Sequence, residues 1–192
     1  MWLPHKYCHF FVLFLFMAGT LLFPPVAATE VVERILAVVN DELVLLTDLE
    51  RDRVFCPSSA SMAPLAVSAA RDEPYPGLQA LINKRLVVSE ARRLNISLPS
   101  TTVVEESRKI LIDRFGGLKS LTSTMAAHGI DQEDVLVMLQ EHLLIRRFLE
   151  VRIFPFIRTS SSDTVRDTRA SKRLERYLSR LRARATIEIN SP

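Results

Sequence analysis

The chain has 192 residues, with 25 Lys/Arg against 22 Asp/Glu for a net charge of +3, and is 48% hydrophobic. That length suffices for one domain with a core of its own. Of its two cysteines only Cys56 lies beyond residue 28, so the fold must stand without an internal disulfide. Charge is unevenly spread: residues 158–184 hold nine Arg/Lys and three Asp/Glu.

Met1 to Ala28 has the form of a secretory signal peptide. Lys6 supplies the positive end and Phe10 to Phe23 the apolar stretch. Val26-Ala27-Ala28 places small residues before Thr29, where signal peptidase cuts. The apolar stretch is shorter than the ~20 residues of a spanning helix; a retained N-terminal anchor is the rival reading. Cys8 precedes the apolar stretch, so no Leu-x-x-Cys box precedes the cut, which argues against a lipoprotein.

Ile35 to Val39 is a continuous apolar run that suits a buried strand. Asn40-Asp41-Glu42 turns the chain and Leu43 to Leu46 resumes the run. Thr47 and Glu50 have capping-box spacing at a helix start. That helix covers Asp48 to Phe55. Pro57 to Pro76, rich in Ser, Ala and Pro, reads as a loop with a helical turn near Leu65 to Ala70. Cys56 reads as an incidental cysteine at a helix end, with no His or second Cys near it in sequence; a reactive or intermolecular thiol is the rival reading.

A second helix spans Gly77 to Asn95, with Leu78, Leu81, Ile82 and Leu86 as its buried stripe. A third starts at Ser100 or Thr101 and runs to Phe115, with Val103, Val104, Ser107, Ile110 and Leu111 along its stripe; Gly116-Gly117 stops it. Leu118 to Ala127 is a short helix ended by Gly129. Asp131 caps a long helix to about Ile153, with Glu133 and Asp134 suited to its dipole. Apolar residues spread around that helix, which places it at the centre of a bundle. Pro155 breaks the pattern and residues 154–166 form a linker. Asp167 to Ala183 is a helix with Leu174, Tyr177, Leu178 and Leu181 on one stripe. Ala185 to Ile189 is a half-buried strand whose Ile187 and Ile189 alternate with Thr186 and Glu188. The fold class expected is mainly α, a helical core over residues 77–153 with a small β-sheet.

Glu33–Glu50, Leu78–Pro99, the Phe115-Gly116-Gly117 break and His128–Ile153 together resemble the N-terminal chaperone domain of the SurA-like periplasmic chaperones. The resemblance covers half to two-thirds of residues 29–192, in soft pattern rather than fixed residues. It implies a periplasmic protein of bacteria. It implies that the terminal strand pairs with the N-terminal one, closing residues 29–192 into one mostly helical domain. The family inserts one or two parvulin prolyl isomerase domains near residues 154–166, a stretch too short to hold one. The Cys56–Pro76 insertion is a second departure from the family.

Phosphate loops, HExxH, paired-Cys metal motifs and GxSxG elbows are absent from the sequence. The expectation is therefore no catalytic residues, no metal and no cofactor. His128 and His142 read as structural, and Glu105-Glu106 and Asp131/Glu133/Asp134 as exposed or capping carboxylates. Asn95-Ile96-Ser97 matches a glycosylation sequon that a bacterial protein does not use.

The expected function is an ATP-independent chaperone that holds unfolded outer-membrane or secreted polypeptides in an exposed apolar groove. Its client-binding candidates are Met125, Met138, Phe154, Phe156 and Ile157, with Met62, Leu65 and Val67 also surplus to a small core. Beyond the client, the further partner considered is an outer-membrane assembly machinery or a separate isomerase. The basic C-terminal helix (Lys172, Arg173, Arg176, Arg180, Arg182, Arg184) is a solvated face that could also touch anionic lipid. Export argues against nucleic acid. The competing reading is an interaction module for one specific partner or for a second copy, as a dimer.

Overall fold

In the computed structural model, which describes residues 33–55, 75–157 and 163–190, the first element is strand β1, Ile35–Val39. A two-residue turn at Asn40-Asp41 leads to β2, Glu42–Leu45. Asn40 takes a left-handed conformation, φ 54°, which asparagine tolerates better than other side chains. The ladder pairs Val39 with Glu42 and Val38 with Leu43, then shifts register between Ile35 and Ala37. The shift is a bulge: Leu36 is the extra residue. It lets the neighbours Leu36 and Ala37 both be fully buried, which strict alternation forbids.

Helix α1, Leu46–Phe55, follows at once. The Thr47–Glu50 capping box does not form. Thr47 instead donates its hydroxyl to Glu33, and Asp48 accepts from the Leu45 N–H at 3.2 Å. The helix begins at Leu46, two residues earlier than a Thr47 cap allows, so Asp48 takes the capping role.

Helix α2 is Leu78–Arg93, α3 Thr101–Arg114, α4 Leu118–Ala127 and α5 Gln132–Arg152. Helix α2 ends in a Schellman arrangement: Ile96 N–H donates to Ala91 C=O and Asn95 N–H to Arg92 C=O, both at 3.0 Å. Asn95 supplies the left-handed residue, φ 51°. Helix α3 ends the same way at Gly116, φ 77°. Ser100 precedes α3 without a side-chain capping bond. Asp131 caps α5 as expected: Asp134 N–H donates to its carboxylate at 2.7 Å, and Asp134 accepts in return from the Asp131 N–H at 3.3 Å.

A 3₁₀ turn, Phe154–Ile157, occupies the start of the expected linker. Helix α6 is Asp163–Arg182, four residues longer at its start than the periodicity from Asp167 indicates. Strand β3 is Ile187–Ile189. It pairs antiparallel with β1, so the sheet order is β2-β1-β3. The fold is therefore mainly helical, with a three-stranded sheet built from the N-terminal hairpin and the C-terminal strand. Ile189 is not half-buried as expected; it is 44% exposed because β3 is an edge strand. The leader, the insertion through residue 74 and residues 158–162 lie outside the described residues.

Two apolar clusters fill the interior. The larger joins Leu36 and Val44 of the sheet to Ile82 and Val87 of α2, Phe148 of α5 and Leu174 of α6. The smaller joins Phe55, Leu111 of α3, Leu121 and Met125 of α4, and Val135 and Leu139 of α5. Helix α5 serves both, its first half one cluster and its second half the other. That double duty is why it has no clean polar face.

Polar ties fix α6 to α2. Buried Glu90 accepts from Arg93 at 2.7 and 2.8 Å and from the Tyr177 hydroxyl at 2.9 Å. These bonds, Arg93 first, hold its carboxyl below the usual range against the opposing effect of burial. Arg182 donates to buried Asn83 at 3.0 Å and to Gln79 at 2.7 Å. Arg182 thus belongs to the packing rather than to a solvated face, and Arg184 reaches to 4.0 Å from Glu90.

Asn40 ties the hairpin turn to the terminal strand: its N–H donates to Thr186 C=O at 2.7 Å, and its side chain accepts from Thr186 N–H at 3.2 Å. Asn40→Ala loses the side-chain bond and forces alanine into a left-handed conformation, a combined loss of about 2 kcal/mol. Asn40→Gly loses only the bond, about 1 kcal/mol. Urea unfolding of the two variants checks this order; equal losses contradict it.

Candidate binding groove along the central helix

Three linked clefts run along and around α5, lined in part by residues of both clusters. The first lies among α1, α2 and α5, the second between α3 and α5, and the third between the α2–α3 connection and the second half of α5. Met138 and His142 line both the first and the second. Leu143 and Arg146 line both the second and the third. The cavity volume is about 80 Å³ in the first, about 180 Å³ in the second and about 270 Å³ in the third. The groove therefore opens toward the C-terminal half of α5.

Its narrow end is ionic. Arg85 lies 3.5 Å from Asp48 and 3.2 Å from Glu141. Arg51 bridges Asp48 at 3.5 Å and Asp134 at 3.3 Å, and Lys84 pairs with Asp52. Four carboxylates thus meet three cations across α1, α2 and α5. Half-exposed pairs of this kind contribute little energy singly, but the network fixes the three helices in register. The Nε atoms of Arg51 and Arg85 are buried without a hydrogen-bond partner, the cost of turning both guanidinium tips toward the carboxylates.

The wider end is apolar. Phe55, Leu111, Leu139 and Leu143 are buried at its floor. On its rim Ile110 is 69% exposed and Leu98 67% exposed. Half-buried Val103 and Met138 lie between floor and rim. The stripe of α3 is therefore split. Val104 and Leu111 face the core, whereas Val103, Ser107 and Ile110 line the groove.

His142 sits where the two ends meet. Burial lowers its pKa, and the positive charges of Lys84, Arg146 and Arg114 lower it further, with Asp52 acting in the opposite sense.

The client-binding candidates fall in different places. Met138 lines the groove. Met125 is only 7% exposed and fills the smaller core cluster beneath it. Phe154 is 38% exposed but lies in the 3₁₀ turn beyond α5 and lines none of the three clefts. The side chains of Phe156 and Ile157, and all of Met62, Leu65 and Val67, lie outside the described residues. Ile110, Leu98 and Val103 are groove residues that the sequence reading did not select. The usable signal was Ser107, a polar residue in an otherwise apolar stripe, which marks the side of α3 that faces solvent.

Among the described residues no group of three or more His, Cys, Asp or Glu could hold a metal ion, and no helix is long and apolar enough to cross a membrane. Comparison with family models and with curated proteins gave no match to this chain.

Because the folded pKa of His142 lies below its unfolded value, its contribution to stability is complete above about pH 6.5. It is lost as pH falls from there through the folded pKa. His142→Gln should flatten that part of the pH–stability profile, measured by urea unfolding at closely spaced pH. An unchanged slope contradicts a half-buried neutral imidazole.

Proposed function

We propose that this protein is a SurA-like, ATP-independent chaperone of the periplasm that holds unfolded outer-membrane or secreted polypeptides, without prolyl isomerase activity. The observation that carries the proposal is the apolar groove along α5, with Ile110 and Leu98 exposed on its rim over a buried apolar floor. Such a surface suits weak and adaptable contact with extended apolar chain. Met138 supplies a side chain that repacks cheaply against different guests. The form of residues 1–28 and the soft sequence resemblance support the periplasmic setting, and a helical core closed by the pairing of β1 with β3 suits a holding module. An outer-membrane assembly machinery or a separate isomerase would act on the released client.

A dedicated interaction module for one partner or for a second copy would use the same groove, and the same assay separates it. The measurement is light scattering of an unfolded β-barrel protein diluted into buffer with an equimolar amount of this protein. Suppressed aggregation is expected, weakened severalfold by Ile110→Asp or Leu98→Asp, both at exposed positions where the fold tolerates charge. A folded sample with no effect on aggregation, together with one stoichiometric partner in a pull-down, contradicts holding and selects the dedicated module.

A further inference from the structure

We infer that the groove selects apolar client segments that carry carboxylates, an inference that rests on the holding function proposed above. The two apolar clefts are lined by three guanidinium groups, Arg114, Arg146 and Arg147, against a single carboxylate, Glu150. Glu150 is shared: it lies 3.7 Å from Arg146 and 3.6 Å from Arg147. Both arginines are more than half exposed, at 53% and 61%. Arg114 donates to the Phe55 backbone carbonyl and lies 5.3 Å above the Phe115 ring. Neither contact neutralises its charge. His142, whose pKa is lowered by burial and by Lys84, Arg146 and Arg114, supplies no negative charge to offset them.

The ionic cleft at the other end differs. There Asp48, Asp52, Asp134 and Glu141 face Arg51, Lys84 and Arg85 in direct pairs. All three cations there are paired with carboxylates, so that cleft offers no free positive charge to a guest. The apolar clefts keep an unmatched positive rim around an apolar floor. Guanidinium is weakly hydrated and planar, and it pairs with carboxylate at smaller desolvation cost than an ammonium does. A guest whose apolar residues fill the floor while its Asp or Glu side chains reach the rim satisfies both. A guest flanked by Lys or Arg meets like charge at the same positions.

The test uses two fluorescent peptides with one apolar core sequence, flanked either by Asp/Glu or by Lys/Arg, titrated by anisotropy against the purified protein. The acidic peptide should bind about five- to tenfold more tightly at low salt. The gap should close near 1 M salt, where screening acts within about 3 Å. The double variant Arg146→Glu/Arg147→Glu, checked for folding by circular dichroism, should reverse the order. Equal binding of both peptides overturns the selectivity and leaves the holding function standing. An acidic preference that survives in the folded double variant overturns the assignment to this rim. Binding of neither peptide, or a dimer that covers Ile110, overturns both the selectivity and the holding function.

Discussion

Strand β1 is hydrogen-bonded on both sides, to β2 across a two-residue turn and to β3 from the far end of the chain. Two asparagines bracket the longer-range pairing. Asn40 exchanges bonds with Thr186 at one end. At the other, Asn190 donates its N–H to Leu36 C=O at 2.9 Å and its side-chain amide to Ile35 C=O at 3.1 Å. A strand of three residues has few ladder bonds of its own, so these flanking bonds are a large part of its attachment. The constraint is long-range, and its loop-closure entropy must be offset by what the closure buries. What it buries is the inner face of α6, Leu174, Leu178 and Leu181, against α2 and the sheet.

Closure in turn decides where the groove lies. With α6 on one side of α2 and the sheet at its end, the second half of α5 is enclosed by the larger cluster. The first half is enclosed by α3, α4 and Phe55. Leu143 falls between the two clusters, buried yet at the floor of both apolar clefts. The groove is thus the seam where two cores share one helix. The stacked rings of Phe55 and Phe115, with centroids 5.4 Å apart, brace the smaller cluster beside it. Half-buried Met138 and the exposed Ile110 and Leu98 along the rim make an open seat rather than a fitted pocket.

Much of this was legible in the sequence. The apolar run of β1, the Asp131 cap, the Gly116 stop and the leucine spacing of α2 and α6 are local signals, and each element formed near its expected bounds. The missed features depend on contacts between distant segments. Thr47 lost its capping role because Glu33 lies within reach of its hydroxyl and Asp48 was free to cap instead. Arg182 is packed against Asn83, 99 residues earlier, which no local pattern reveals. Met125 and Ile110 exchanged expected places for the same reason. A helical stripe two columns wide does not state which column meets the core until α4 and α5 are in position.

The central claim is that terminal-strand pairing and the α5 core form one cooperative unit. Native-state hydrogen exchange tests it most directly, through the amides of Asn40 and Asn190 at the strand pairing and of Phe148 and Leu149 in α5. The account predicts that all four exchange only by global unfolding, with one free energy and one denaturant dependence. Rapid exchange of the Asn40 and Asn190 amides, while those of α5 keep full protection, would show that the ends come apart without the core and would contradict it.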